Sequence, residues 1–455
     1  MASFSQPKQE EYALEILHRQ PSESITSVRN LAHESHHRSK EDVTTHYHEA
    51  PVQTFAEGSD LEIVAGRTKG QHRREKLQLG ALFWCMFLAG WNDGTTGPLL
   101  PRIQVHYKAH VSSFPSSIDS GLAGLSAKPL FKTIVVGAIL HMTASGLQSA
   151  RLPFAVFVMS YVLGGMAISV QDAGASAYVA NIKENAETKM GLLHAAYGSG
   201  ALCAPLVATQ FAQLDQWSFY FLCTLGIGLL ASVATSIAFR FKTQEECLAA
   251  IGQFPDEAEA NERASFKHVL AQKRVHLLAI FILIYVGVEV TIGGWIVTYV
   301  IRLRNGGPDS GYISAGFFAG LTFGRVVLLW LNAKIGERRV MFLYTLLAIG
   351  LELIVWLVPS LIGGGVAISL VGVILGPMYP ITLNHARRIL PRRLLTGAVG
   401  WICGFGKSGA AVVPFMTGVL AGKFGIGSLQ PLLIAMMAAM IVLWAIVPGG
   451  PRKVD

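Results

Sequence analysis

LQLGALFWCMFLAGWNDGTTGPLL, residues 77–100, is the stretch on which the reading of this chain turns. It is long enough to cross the roughly 30 Å of hydrocarbon in a bilayer as a helix, and it is apolar throughout except near Asn92 and Asp93. An ionisable side chain at the centre of such a span costs about 2.5–3.5 kcal/mol on insertion. Asp93 therefore marks either a functional site or a strong internal pairing.

The pattern recurs along the chain. Apolar blocks occupy 77–100, 131–147, 153–178, 190–212, 217–239, 275–301, 311–333, 339–359, 361–384, 395–420 and 429–448. Of all residues 51% are hydrophobic and 15% charged, against about 25% charged in a soluble domain, which excludes a soluble enzyme. The expected class is an all-α polytopic membrane protein, integral and multi-pass, with either the plasma membrane or an internal, vacuolar-type membrane as its location. The 47 glycines fall within the blocks, as close helix packing requires. Cys85, Cys203, Cys223, Cys247 and Cys403 have no paired spacing, so neither disulfides nor a metal site is expected. The net charge of +8 sits between the blocks, where it orients spans, so no nucleic-acid partner is expected. Residues 1–20 carry charges throughout and no apolar core, so the first span serves as the insertion signal.

Residues 1–76 are polar, aromatic-poor and rich in histidine, the composition of a disordered tail. A second polar stretch, 241–274, separates a first membrane half (77–240) from a second (275–448), with a short tail at 449–455. Cytoplasmic loops carry the excess of Lys and Arg. Counted back from Arg452, the basic loops alternate regularly: Arg387 to Arg393, Lys334 to Arg339, the central linker, Lys183 with Lys189, and Lys128 with Lys132. The tail, ending Arg73-Arg74-Glu75-Lys76, belongs on that same side. Yet one block separates it from Lys128, and the window 101–128 contains Arg102, Lys108, Asp119, Pro115 and six serines. Such a sequence is not expected to span lipid unaided. The chain thus reads as about eleven spans drawn from a twelve-span plan, with the second helix missing; the alternative is an N-terminal tail held on the outer side.

The halves also repeat. Gly200-Ala201 with Pro205 recurs as Gly409-Ala410 with Pro414; Gly90 and Gly97 recur as Gly287 and Gly294; Leu163-Gly164 recurs as Leu375-Gly376. Shared order and similar offsets indicate a duplication, as in transporters built of parallel repeats. Together with Phe87 to Gln104 and the run from Gly336-Glu337-Arg338-Arg339 through Gly376-Pro377 to Gly406, these features resemble the major facilitator superfamily. The likeness is to its fungal branch near the fucose-permease-like and glucose-transporter-like members, and it covers about 77–448. It implies two six-helix halves, both termini cytoplasmic, and a solute path between the halves. It also implies a Gly/Asp/Arg signature between the second and third helices, of which residues 120–132 keep only remnants. The counterpart loop retains Gly336, Arg338 and Arg339 but has Ala333 where an acid is common.

Few ionisable residues lie within the apolar blocks: Asp93, His141, Asp172, His194, Glu289, Arg325, Glu352 and Lys407. Asp93 and Glu289 hold comparable places on the first helix of each half and are candidates for proton coupling or polar solute contact. Asp172 resembles the acidic position on the fourth helix of fucose-permease-like proteins. His194 is a candidate hydrogen-bond partner, though a lone histidine on an apolar face is more often packing. Asn92, Trp295 and Lys407 are expected to line the path, Lys407 to neutralise an acidic solute or to pair with Glu289. Arg325 is expected at a helix end or cytoplasmic gate. Gly200, Pro205, Gly336, Arg338, Gly409 and Pro414 are assigned to packing and gating, the prolines by interrupting a helical hydrogen bond. Gly400 and Gly404 form a GxxxG packing motif.

No serine-hydrolase, zinc-protease or phosphate-loop motif is present, so neither catalysis nor a cofactor is expected. The function expected is secondary or facilitative transport of a small solute by alternating access, with protons as the candidate co-substrate, in a monomer embedded in lipid. The alternative is a truncated, non-transporting regulator or sensor.

Overall fold

A computed structural model describes residues 67–108, 130–253 and 266–449. All belong to the second of two units into which the chain divides, Ala65–Asp455. Among the described residues the secondary structure is helical, without strands. Helix α1 (Lys69–Tyr107) begins earlier than the apolar block because Thr68 caps it: the Thr68 hydroxyl accepts from the Gln71 amide, and the Gln71 side chain accepts from the Thr68 amide at 2.8 Å. The polar tail expected to reach residue 76 therefore gives way to helix at Lys69.

The first half continues with α2 (Leu130–Ser149), α3 (Phe154–Ala180), α4 (Ala186–Ala212) and α5 (Tyr220–Phe239). The linker is partly structured. Helix α6 (Gln244–Ala250) places Cys247 and Leu248, followed by Ile251, beneath α1, α3 and α5, and α7 (Phe266–Leu270) precedes the second half. That half comprises α8 (Lys273–Leu303), α9 (Gly311–Val327), α10 (Leu329–Ile335), α11 (Glu337–Leu357), α12 (Leu361–Leu375), α13 (Met378–Ile389), α14 (Arg392–Lys407), α15 (Gly409–Phe424) and α16 (Leu429–Ile446).

Three blocks expected as single spans are locally irregular, and the last two still run as single candidate spans, Leu361–Ile389 and Gly397–Phe424. The first bends by 52° between α9 and α10. The second breaks at Gly376-Pro377, where proline lacks the amide that would continue the ladder. The third breaks at Ser408, whose amide turns back to the Phe405 carbonyl. By length and composition eight helices are able to cross a membrane, nine if the bent pair forms one span. Ile134–Ser149 is a shorter apolar helix, and α1, diluted by Asn92 and Asp93, is not among the eight.

Two packed layers fix the direction of each helix in the first half. Leu79 and Leu82 at the start of α1 cluster with Ile134, Tyr178, Leu193 and Phe239, whereas Leu99 and Ile103 near its end cluster with Phe157, Ala208, Trp217 and Phe221. The Tyr107 hydroxyl donates to the Leu152 carbonyl at 2.8 Å. Helices α1 and α2 are thus parallel, and Tyr107 and Leu130 stand at opposite ends of the bundle. The missing second helix was inferred between them, and residues 109–129 lie outside the described residues. In the second half, Arg274 donates to the Ile389 carbonyl and the Trp444 indole to the Arg338 carbonyl (3.2 and 3.1 Å), so the start of α8 and the end of α16 share one end. Arg302 donating to Gln104 at 3.0 Å joins the opposite ends of α8 and α1. The start of α1 and the end of α16 therefore lie at the same end, called the inner end below.

Candidate functional site

The repeats seen in the sequence are the points where helices meet most closely. A Cβ at Gly200 would overlap the Phe87 carbonyl, and one at Gly90 the Tyr197 carbonyl, so α1 and α4 pack backbone to backbone. In the second half a Cβ at Gly409 would overlap the Leu283 carbonyl, and one at Gly287 the Val413 side chain, so α8 and α15 pack in the same way. These contacts set Asp93 and Glu289 at matching depth on the first helix of each half. Pro205 and Pro414 lie within α4 and α15, Pro205 in reach of Gly94 on α1.

Across the middle of the bundle these helices bring polar groups together. The Tyr197 hydroxyl on α4 donates to Asp93 at 2.5 Å. Glu289 on α8 faces Arg325 on α9 at 3.6 Å, with side chains 8% and 19% exposed. Tyr285, one turn before Glu289, donates to the Leu375 carbonyl at 3.1 Å and also faces Glu289 and Arg325. Tyr197 lies within electrostatic reach of Glu289 and Arg325 as well as Asp93, so it stands between the halves. His194, one turn before it, is within reach of Arg325. Tyr379 on α13 completes the group beside Glu289, Arg325 and Cys403.

A second cross-link joins the halves closer to the inner end: Lys407, the last residue of α14, is ion-paired with Asp172 on α3. Asp172 also accepts from Ser176 at 3.2 Å. The pairing of Lys407 with Glu289 raised from the sequence is not formed, because Arg325 holds Glu289. Arg325 sits in the last turn of α9, at the helix end expected for it, and from there faces Glu289 on α8.

Toward the other end the halves close on each other. A Cβ at Gly97 would overlap the Gly293 carbonyl, which also accepts from Ser314 at 3.1 Å. Helices α4 and α9 meet at Thr209 and Gly311, with Gln210 bonded to Tyr312 and Gln213 to Asp309 at 3.4 Å. The solute path expected between the halves is thus shut on this side.

Of the other residues expected to line the path, Asn92 stays beside Asp93 and Trp295 is placed elsewhere. Trp295 is 3% exposed and packs in the core of the second half, away from any open surface. Trp91 stacks on Tyr220 with ring centroids 5.6 Å apart and donates to Thr224. Asn92 is half-buried beside Asp93. Glu352 is fully buried on α11 toward Gln430 on α16, outside the cluster. A Cβ at Gly400 would meet nothing within 4 Å, so this end of the GxxxG pair makes no close contact. Gly336 turns α10 into α11 with φ +90°, a conformation that favours glycine. Beside it Glu337 pairs with Arg388 at 3.2 Å, and the Arg338 carbonyl holds Trp444. The signature loop thus ties α11, α13 and α16 together at the inner end. No group of metal-ligating residues forms among the described residues. Three members of the cluster, Tyr197, Tyr285 and Tyr379, were not singled out from the sequence. The one available signal was the Tyr285–Glu289 spacing, which places both on one helix face.

A groove of about 600 Å³ between α4, α9 and α12 is lined by Leu202, Gly320, Thr322, Phe323, Ser369 and Val373. It belongs to the lipid-facing side, because Phe323, 60% exposed, lies two residues from Arg325 and hence about 200° around α9.

The profile described as Major Facilitator Superfamily matches residues 82–414. Bypass of stop codon protein 6 from Saccharomyces cerevisiae (strain ATCC 204508 / S288c) is 25% identical over 413 residues, 82% of each chain. The glucose/mannose transporter GlcP of Bacillus subtilis (strain 168) is 23% identical over 320 residues, 65% of this chain and 75% of that protein. Among solved structures, a D-xylose-proton symporter superposes with a TM-score of 0.66 at 12% identity, covering 82% of this chain and 98% of the other, a likeness of fold.

Proposed function

Because the chain belongs to the major facilitator superfamily, we propose that it is a secondary transporter that moves a small polar solute by exposing a central site to the two sides of the membrane in turn. The observation that carries this reading is the mid-membrane cluster built from both halves, with Asp93 and Tyr197 from one and Glu289, Tyr285 and Arg325 from the other. Rocking one half against the other separates Asp93–Tyr197 from Glu289–Arg325, so the affinity of anything bound between them changes with the state. That difference is what coupling requires. Asp93 and Glu289 are the candidate proton carriers, as the acids that the two halves contribute to the cluster. Asn92 and His194 flank the site.

The test is uptake into proteoliposomes of a labelled panel of hexoses, pentoses, nucleosides and small carboxylates, with and without an imposed pH gradient. Gradient-driven uptake of at least one member is expected. Asp93→Asn or Glu289→Gln should abolish the response to the gradient while leaving exchange of preloaded solute. Uptake in the variants that follows the gradient as in the wild type refutes the assignment of the carriers. A wild-type protein that moves none of the panel refutes transport of these solute classes.

A further inference from the structure

The charges around the start of α1 are sorted by face. On its buried side Glu75 is paired with Arg67 at 2.9 Å and with Lys189, and Arg67 also takes Glu184 at 2.6 Å, so these acids are neutralised within the bundle. On the opposite side Lys69, Arg73 and Lys76 are exposed and fall within about 60° of one another around the helix. Leu77, 53% exposed, and Trp84, 36% exposed, continue that side toward the middle of α1, so the basic stripe ends where the lipid-facing surface begins. Helix α5 runs along its edge: the Trp84 indole donates to the Ile227 carbonyl at 3.1 Å, Cys85 and Leu88 pack with Ala231, and Phe239 shares a cluster with Leu79 and Leu82. The end of α5 is therefore level with the stripe, and the exposed Arg240, Phe241 and Lys242 follow directly. Arg240 and Phe241 are both left-handed, with φ 48° and 60°, and this turn leaves Phe241 76% exposed while Cys247 and Leu248 pack beneath α1 and α5.

We infer that this surface binds the headgroups of anionic phospholipids in the leaflet at the inner end. Lys69, Arg73, Arg74, Lys76, Arg240 and Lys242 are all exposed there, and among the described residues none of them is ion-paired. The exposed acids beside them are Glu245 and Glu246 on α6, and Glu246 is occupied in capping that helix, accepting from the Thr243 amide at 2.9 Å. Lys69 to Lys76 rise about 10 Å along α1, close to the roughly 5–8 Å depth of one headgroup layer. Clustered cations at that level attract an anionic leaflet. Leu77 and Phe241 stand at the same level and suit the acyl boundary, a contact that a free phosphate cannot make. Charge that only orients a span needs no particular face of the helix. Here the cations gather on the lipid-facing side, and the acids of the same region are held on the other.

The test uses the full chain purified in detergent, with bound lipid counted by native mass spectrometry as dioleoyl phosphatidylserine or dioleoyl phosphatidylcholine is added. Phosphatidylserine should bind about tenfold more tightly, and the preference should shrink as sodium chloride is raised. Lys69→Gln/Arg73→Gln/Lys76→Gln should remove the preference, and Arg240→Gln/Lys242→Gln should weaken it about threefold. Lys267→Gln/Lys273→Gln/Arg339→Gln removes as much charge from exposed positions elsewhere in the chain and should leave the preference unchanged. Lys69→Arg/Arg73→Lys/Lys76→Arg keeps the charge and should keep the binding, which separates loss of charge from loss of fold. Equal binding of the two lipids, an equal loss in the distant triple variant, or a preference that survives in the Lys69→Gln/Arg73→Gln/Lys76→Gln protein each overturns the inference. Displacement of phosphatidylserine by inorganic phosphate also overturns it, because the surface would then hold a phosphate ion and not a lipid.

Discussion

Glu289 and Arg325 offer the sharpest energetic test. Their charges lie 3.6 Å apart with side chains 8% and 19% exposed. At an effective dielectric constant near 20, Coulomb's law gives about 4–5 kcal/mol for that separation, before either ion's desolvation is subtracted. Replacing Arg325 by Gln leaves Glu289 charged and poorly solvated, and breaking such a pair typically costs about 3–5 kcal/mol. Glu289→Gln alone should cost a similar amount, because Arg325 is then stranded beside Tyr285. The double variant removes both charges and should cost less than either single variant, which requires a coupling free energy above about 3–5 kcal/mol. The assay is reversible unfolding of the purified protein in mixed detergent micelles, with a double-mutant cycle across the four proteins. Additivity within about 0.5 kcal/mol would show that the two residues act independently, and the cluster as described would be wrong.

Labelling with a membrane-impermeant maleimide should find Thr68→Cys and Gly449→Cys on the same side of the membrane, which the basic loops identify as cytoplasmic; modification from opposite sides contradicts the parallel course of α1 and α2. Gly200→Val and Gly409→Val should each lower the yield of folded protein severely, whereas Gly400→Val should be tolerated, as fluorescence size-exclusion profiles of tagged protein will report. Arg67 is bonded at once to the Ile251 carbonyl (2.7 Å), Glu184 (2.6 Å) and Glu75 (2.9 Å), so Arg67→Ala should cost about 1–3 kcal/mol and expose the α6 segment to protease, while unchanged cleavage argues against that clamp. Glu352→Gln should preserve any transport measured for the wild type, because the side chain faces α16 and not the path; loss of uptake with normal folding would place it in the mechanism.

The sequence alone determined the environment, the approximate extents of the helices and the duplication. Each follows from local quantities: apolar length against bilayer thickness, charge between blocks, and spaced glycines. It also picked out Asp93, Asp172, Glu289, Arg325 and Lys407, because intramembrane charge is conspicuous without any structure. Pairing was decided only by tertiary structure. Arg325 reaches Glu289 because α8 and α9 run side by side, and Lys407 reaches Asp172 because α14 ends opposite α3, relations between residues 36 and 235 positions apart in the chain. The tyrosines that complete the cluster carry no charge, so composition gave them no weight until helix packing set them beside the acids. Trp295 shows the converse: an aromatic in a span has the same signature whether it lines a path or fills a core, and only its burial among α8 and its neighbours separates the two. Periodicity also could not locate the bend at Leu328, because hydrophobicity is continuous through it. The direction of the backbone there is fixed by which neighbouring helix each segment must reach.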